Sequence, residues 1–286
     1  MAELRIATRR SALALAQANR VAELLLADDP GLSVSLVEMV TAGDRDPTGP
    51  IARLTETGAF VRSVQEAVID DRADLAVHSL KDLPVNLPGD LVLAAFPERV
   101  SPLDALVGST VDALGEEARV GTGSPRRVAQ LMGLRPDLRV TELRGNVDTR
   151  LLRVSNGEVD AALLAVAGLE RLGRAEAISE ELDVGRMVPA PGQGALAVEA
   201  RRGSEAAERA ENIDDRGLRE LLSAERALLA ETGAGCRSAL GALATREDGR
   251  MRLDAFVADE RGSRRVTVFG EAPAEVVAGA RRELGL

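Results

Sequence analysis

At 286 residues the chain exceeds what one ordinary hydrophobic core serves, and 45 % hydrophobic content is enough for two or three compact domains. A formal charge of −10 argues against nonspecific nucleic-acid binding, and with no Trp, no Tyr and only Phe60, Phe96, Phe256 and Phe269, base-stacking platforms are missing too. One cysteine forms no internal disulfide, and no Cys/His cluster suggests a metal, so a reducing, cytoplasmic setting without metal is expected.

Strand-like and helix-like segments alternate from the start, which predicts α/β architecture with parallel sheets and helices on both faces. Residues 4–7 read as a strand and 11–26 as a helix with Leu15, Val21 and Leu25 near one face. The pair Arg9-Arg10 before Ala12 imitates a twin-arginine export signal, but Gln17, Asn19 and Arg20 interrupt the apolar run. A second strand, 32–40, leads into a polar loop at 41–50 rich in Gly, Asp and Pro. A helix at 60–69 and a strand at 75–78 follow. A second unit of the same kind begins near residue 101, with strands at 119–121, 138–143 and 161–166. Its apolar run Ala161 to Ala167 is far too short to span a membrane. The segment 188–194 reads as a crossing back to the first unit. A helix at 218–231, a glycine-rich loop and strands at 251–257 and 265–269 form a small third α+β unit. The expected domains are therefore 1–99 plus 188–213, 100–187 and 214–286.

Ligands of open α/β sheets bind beyond the carboxyl ends of strands, so the turns that leave strands are where chemistry is sought. In the first, Ser11 caps a helix while Arg9 projects over the sheet end, although an ordinary capped helix with solvated arginines reads the same way. The second turn holds His78, Ser79, Lys81 and Asp82, and Lys81 is the only lysine in a chain that otherwise uses arginine. A compact ammonium differs from a guanidinium fork in shape and hydration, which marks the position. His78, also unique, reads more readily as a satisfied structural residue, and Asp82 either pairs with Lys81 or faces a cationic intermediate. In the third, Thr122-Gly-Ser124-Pro-Arg126-Arg127, Ser124 stands at an N-cap and Pro125 at the first helical position, so backbone N–H groups, helix dipole and two arginines make an anion site. The fourth repeats that design, with Arg144 ending a strand, Asn146 capping, and Arg150 one turn along. Two such sites suggest a ligand with several carboxylates or phosphates, which arginine binds in bidentate fashion. Cys236, in the glycine-rich run Thr232-Gly-Ala-Gly-Cys-Arg237, reads as an accessible thiol suited to covalent attachment, although a lone cysteine is more often a buried inert thiol.

These motifs, in this order, resemble the porphobilinogen deaminase family. The matching runs are Arg5 to Ser11, Ala76 to Pro84, Gly121 to Arg127, Leu143 to Arg150, Leu164 to Leu169, Pro191 to Ala195 and Gly235-Cys236, which span nearly the whole chain. The resemblance implies two domains similar to periplasmic binding proteins with an active-site cleft between them, and a small C-terminal α+β domain. It implies a transferase that joins four porphobilinogen units on a dipyrromethane cofactor held by a thioether to Cys236, releasing ammonia and yielding hydroxymethylbilane. By the same mapping Asp82 is the catalytic carboxylate. Ser11, Lys81, Thr122, Ser124, Arg126, Arg127, Arg144 and Cys236 bind cofactor, and Arg9, Arg150 and Gln193 bind substrate. The expected partner is porphobilinogen alone, with no nucleic acid and no membrane, for a monomeric enzyme of tetrapyrrole biosynthesis.

The chemistry agrees with the residues. Loss of ammonia from porphobilinogen leaves a cationic azafulvene, whose charge a neighbouring carboxylate stabilises. Each pyrrole carries two carboxylates, which calls for local arginines in an acidic protein. Departures from the family pattern are Ala12 and Pro125 after their serines, Thr57 in the mobile loop and Ala239 after the cysteine; they bear on loop geometry and gating more than on the reaction. The competing reading is a noncatalytic binding module on the same two-lobed fold, in which Cys236 would have no role.

Overall fold

A computed structural model describes residues 3–39, 59–232 and 239–286. The expected loop at 41–50, Thr57 and Cys236 lie outside the described residues. The chain divides into two compact units, residues 1–99 with 195–219, and 100–194 with 220–286.

The first unit is built on a five-stranded sheet of order β2-β1-β3-β10-β4. Its strands are β1 (Glu3–Arg9), β2 (Ser33–Met39), β3 (Leu75–Ser79), β4 (Leu91–Ala95) and β10 (Leu196–Arg201). One face packs Leu4, Ile6, Leu75, Val77, Leu196 and Val198 against Ala18, Val21 and Leu25 of α1 (Ala12–Asp28) and the alanines of α6 (Glu205–Glu211). The opposite face packs Ala7 and Ala76 against Val64, Ala67 and Val68 of α2 (Ala59–Ile69). Period-two alternation thus sends neighbouring residues of each strand into different cores, which is why helices cover both faces. The twin-arginine imitation is explained here as well, since Thr8 and Arg9 belong to β1, hydrogen-bonded between β2 and β3.

The second unit contains a five-stranded sheet of order β7-β6-β8-β5-β9, made of β5 (Asp104–Val107), β6 (Arg119–Gly121), β7 (Arg139–Thr141), β8 (Ala161–Ala165) and β9 (Ile178–Leu182). Leu106, Val120, Leu163 and Leu182 pack with Leu131 of α3 (Pro125–Leu134). Ala105, Val107 and Leu164 pack on the other side with Val147 and Leu151 of α4 (Val147–Ser155) and with Val166 and Leu169 of α5 (Val166–Arg171). The remaining elements are α7 (Arg216–Glu231), an antiparallel sheet of β11 (Ala239–Glu247), β12 (Arg250–Asp259) and β13 (Gly262–Gly270), and α8 (Pro273–Leu284). No described helix is long and apolar enough to cross a membrane.

The expectation of parallel sheets holds for β1, β2 and β3 and for β6, β7 and β8, but β10 runs antiparallel to β3 and β4, and β5 antiparallel to β8 and β9. Both exceptions come where the chain passes from one unit to the other, near residues 100 and 194, instead of returning through a helical crossover. Residues 188–194, placed with the first domain by sequence, are anchored in the second unit. Gln130 brackets Val188, its Nε2 donating to the Val188 carbonyl at 3.0 Å and its Oε1 accepting the Val188 N–H at 2.8 Å. Buried Glu225 accepts the Gly192 N–H at 2.7 Å and the Ala244 N–H at 2.9 Å, joining α7, the crossing segment and β11.

Gly194 closes that segment at φ +85°, and a Cβ there would stand 2.6 Å from the Val100 carbonyl oxygen. Gly194→Ala is therefore expected to destabilise the protein by about 1–3 kcal/mol. A shift of the urea midpoint to lower concentration, without loss of secondary structure at zero denaturant, checks this.

Candidate active site

Parallel pairing brings the functional turns of each unit to one end of its own sheet. In the first unit Ala7 lies beside Ala76, so the turns leaving β1 and β3 emerge at the same level. Ser11 caps α1, its Oγ accepting the Ala14 N–H at 3.3 Å, and Thr8 Oγ1 reaches the Ala14 carbonyl at 3.1 Å. After β3 the chain makes a single 3-10 turn, Leu80–Asp82. Its backbone is held by Leu80 N donating to the Ala195 carbonyl at 3.0 Å and Leu83 N to the Leu80 carbonyl at 3.1 Å. Leu80 and Leu83 are buried beneath the turn, Lys81 is half-buried and Asp82 is exposed. Gln17 of α1 donates to Ser79 Oγ at 2.7 Å and so connects the helix leaving one turn to the start of the other. Arg9 is half-buried at the end of β1.

In the second unit Gly121 of β6 is level with Thr141 of β7 and Ala162 of β8. The Thr122 N–H donates to the Thr141 carbonyl at 2.9 Å, tying the first two turns together. Ser124 caps α3 and Asn146 caps α4, as the sequence predicts. Thr122 Oγ1 accepts the Ser124 N–H at 3.3 Å, and a hydroxyl that accepts still has a proton to donate. Arg150 Nε donates to the Gly145 carbonyl at 2.9 Å, while Arg144, about half exposed, pairs with Glu142 at the surface. Such a surface pair contributes little and exchanges readily for another carboxylate. Gly145 sits at φ +111° with Thr149 against the position a Cβ would take, so the turn that places Arg144 and Arg150 depends on glycine.

Arg126 and Arg127 differ in setting from the other arginines of these turns. The sequence points both toward a ligand; the structure buries them at 4 % and 6 % exposure around the carboxylate of Asp104, at the start of β5. Arg126 Nη1 lies 2.6 Å from Asp104 Oδ2, and Arg127 donates to Oδ1 through Nη2 at 2.6 Å and Nε at 2.9 Å. The same guanidiniums donate to the carbonyls of Val188 and Leu163, each at 2.8 Å. Burial alone would raise the Asp104 pKa, but the two adjacent positive charges and their hydrogen bonds overcome it and hold the group well below the usual carboxylate range. Gln193 belongs to the same cluster. It is 1 % exposed, and its amide nitrogen donates to the Pro102 and Leu103 carbonyls and to Asp104 Oδ1 at 3.1 Å.

Asp104 itself was missed by sequence reasoning. The available signal was an acidic residue heading the buried run Ala105-Leu106-Val107, where a carboxylate needs a cationic partner. Arg171, at the end of α5 beyond β8, adds a further arginine to the second unit's set of strand-end turns, its Nη2 donating to the Gly194 carbonyl at 2.8 Å.

The donor set fits a polycarboxylate cofactor. Two buried guanidiniums face one carboxylate, which leaves a positive charge that a ligand carboxylate would balance. The capped N-termini of α3 and α4 favour anions at the same sheet end. Among the described residues no group of His, Cys, Asp and Glu could hold a metal ion.

Asp104→Asn should cost about 3–5 kcal/mol, because it leaves two guanidiniums buried against a neutral amide. In the parent protein the folded-state pKa lies below the unfolded one, so the stabilisation from Asp104 is complete above about pH 4 and fades as pH falls further. Urea midpoints measured from pH 7 to pH 3 should fall more steeply for the parent than for Asp104→Asn.

Residues 4–209 match the model of the family described as porphobilinogen deaminase, dipyromethane cofactor binding domain, and residues 220–284 match its C-terminal domain. The porphobilinogen deaminase of Roseiflexus castenholzii is 47 % identical over 254 residues, covering 87 % of this chain and 84 % of that protein. Those of Cutibacterium acnes and Chromobacterium violaceum are 44 % and 43 % identical, each over 96 % of this chain, with 89 % and 90 % of the relative covered. The Bordetella pertussis BvgS periplasmic VFT2 domain is similar at 17 % identity and a TM-score of 0.42, over 74 % of this chain and 85 % of that one, a likeness too distant to carry argument. With two family models covering most of its length and relatives this similar over nearly all of it, the chain belongs to the porphobilinogen deaminase family.

Proposed function

We propose that this chain joins four porphobilinogen units head to tail on a dipyrromethane cofactor, releasing ammonia at each addition and yielding hydroxymethylbilane. Two observations carry this reading: in the first unit an exposed carboxylate, Asp82, on a turn fixed by buried leucines, and in the second unit strand-end turns whose arginines and helix N-termini suit carboxylates. A noncatalytic binding module would need the second feature but not the first.

Asp82 stabilises the positive charge that develops on the substrate pyrrole as ammonia departs, and its oxygens accept pyrrole N–H hydrogen bonds. Its exposure leaves it accessible to the reacting molecule. Lys81 and Arg9 supply positive charge to substrate carboxylates from the first unit. In the second, Arg144 and Arg150 bind carboxylates directly, Ser11 of the first unit and Thr122 and Ser124 of the second donate hydroxyl protons, and Arg126 with Arg127 contributes the charge that Asp104 leaves unbalanced. The dipyrromethane, held through Cys236, supplies the pyrrole terminus to which incoming units are added. The protein acts as a monomer in the cytoplasm, with porphobilinogen as its partner and no nucleic acid.

Protein made where porphobilinogen is available is expected to weigh about two pyrrole units more than its sequence, and Cys236→Ser is expected at the sequence mass. Intact-mass spectrometry decides between this reading and a binding module, which would show the unmodified mass in both. Asp82→Asn should keep the added mass and lose turnover by roughly a hundredfold or more, since it removes charge stabilisation without altering shape. Steady-state consumption of porphobilinogen checks this, and wild-type turnover would remove Asp82 from the mechanism.

A further inference from the structure

Three buried polar side chains of the first unit have no part in the reaction described above. Glu199 of β10 is wholly buried, and Gln65 and His78 are 4 % and 7 % exposed. Gln65 Nε2, from α2, donates to both carboxylate oxygens of Glu199, at 3.0 and 3.1 Å. His78 Nε2, from β3, lies 2.9 Å from Glu199 Oε2, though off the line of a well-formed N–H···O bond. The sheet register explains the meeting: Glu199 stands opposite Ala76 and His78 opposite Ala197, which makes Glu199 and His78 diagonal neighbours on one face. The surroundings on that face are apolar, with Ala7 and Ala76 from the sheet and Val64, Ala67 and Val68 from α2.

A carboxylate in such a place is expensive, and apolar residues of the same volume would hold the helix on the sheet as well or better. Its location gives a reason for it. His78 immediately precedes Ser79, the residue that Gln17 holds from α1 at 2.7 Å, and Asp82 follows three residues later. The end of β3, whose register is set by its pairing with β1 and β10, is thus fixed further by side-chain polar contacts toward α1 and toward α2.

We propose that His78 and Glu199, supported by Gln65, form a positioning pair that sets the turn carrying Lys81 and Asp82. The inference rests on Asp82 being the catalytic carboxylate. His78 touches no reacting atom in this account; it acts through the backbone of residues 79–82, and through its Nε2, the atom that faces Glu199.

That atom makes the test specific. In His78→Gln the side-chain amide reaches the Nε2 position, whereas in His78→Asn it does not. His78→Asn is expected to lower kcat per mole of cofactor-loaded protein by roughly ten- to a hundredfold, the scale of a displacement of about 1 Å, with the KM for porphobilinogen changed less than about twofold. His78→Gln should recover most of that loss. The double variant Glu199→Leu, Gln65→Leu replaces the polar contact by apolar packing, so its melting temperature should equal or exceed the parent's while kcat falls as in His78→Asn. Parent-like kcat in His78→Asn, or equal losses in the Asn and Gln variants, overturns the proposal. A rise in KM in place of a fall in kcat overturns it too, and assigns the cluster to binding. Should the double variant not fold, the two His78 variants decide alone. Asp82→Asn, assayed beside them, separates the two readings: retained turnover there removes the catalytic assignment, whereas its loss beside an unaffected His78→Asn removes only the positioning pair.

Discussion

The contact between Asp104 and the two guanidiniums of Arg126 and Arg127 organises the second unit. One carboxylate at the start of β5 collects both arginines of α3 and the amide of Gln193, and those groups in turn hold the carbonyls of Val188, Leu163, Pro102 and Leu103. A strand, a helix and the crossing segment 188–194 are thereby joined at one buried point. Its energetics are asymmetric, since the assembled cluster offsets its desolvation while deletion of Asp104 leaves two buried guanidiniums without a counter-ion. It also carries more positive than negative charge. In the proposed reading a structural anchor and a carboxylate receptor are made from the same atoms, which gives a reason for a buried Arg-Arg pair in a protein of net charge −10.

The first unit solves a different problem. In the reading proposed above its reactive group is Asp82, which is exposed, on a turn supported from below by Leu80 and Leu83 and by the backbone bond from Leu80 to Ala195. The buried side chains around Ser79 and His78 extend that support into the sheet. On that reading charge complementarity to the substrate is left to exposed or half-buried groups, Asp82, Lys81 and Arg9, whereas position is assigned to buried ones.

Much of this was legible in the chain. The caps at Ser11, Ser124 and Asn146 were visible because a short polar side chain before a helical repeat has one evident use. The parallel cores were visible in apolar strands separated by amphipathic helices. The antiparallel strands β5 and β10 were not, because they follow the passages between units, where no local pattern records direction. The partner of Arg126 and Arg127 was not legible, because sequence shows a cation without its partner; Asp104 lies 22 residues before Arg126. His78 was weighed between an inert core residue and something more, and the decisive fact, a buried glutamate 121 positions later in the chain (199 − 78), belongs to strand register.

The central claim is that pyrrole units accumulate on this chain before product leaves it. Intact-mass spectrometry after brief mixing with porphobilinogen tests it most directly. The account predicts a ladder of masses rising above the resting protein in steps of one deaminated pyrrole, ending at four. Consumption of porphobilinogen with the protein mass unchanged throughout would contradict it.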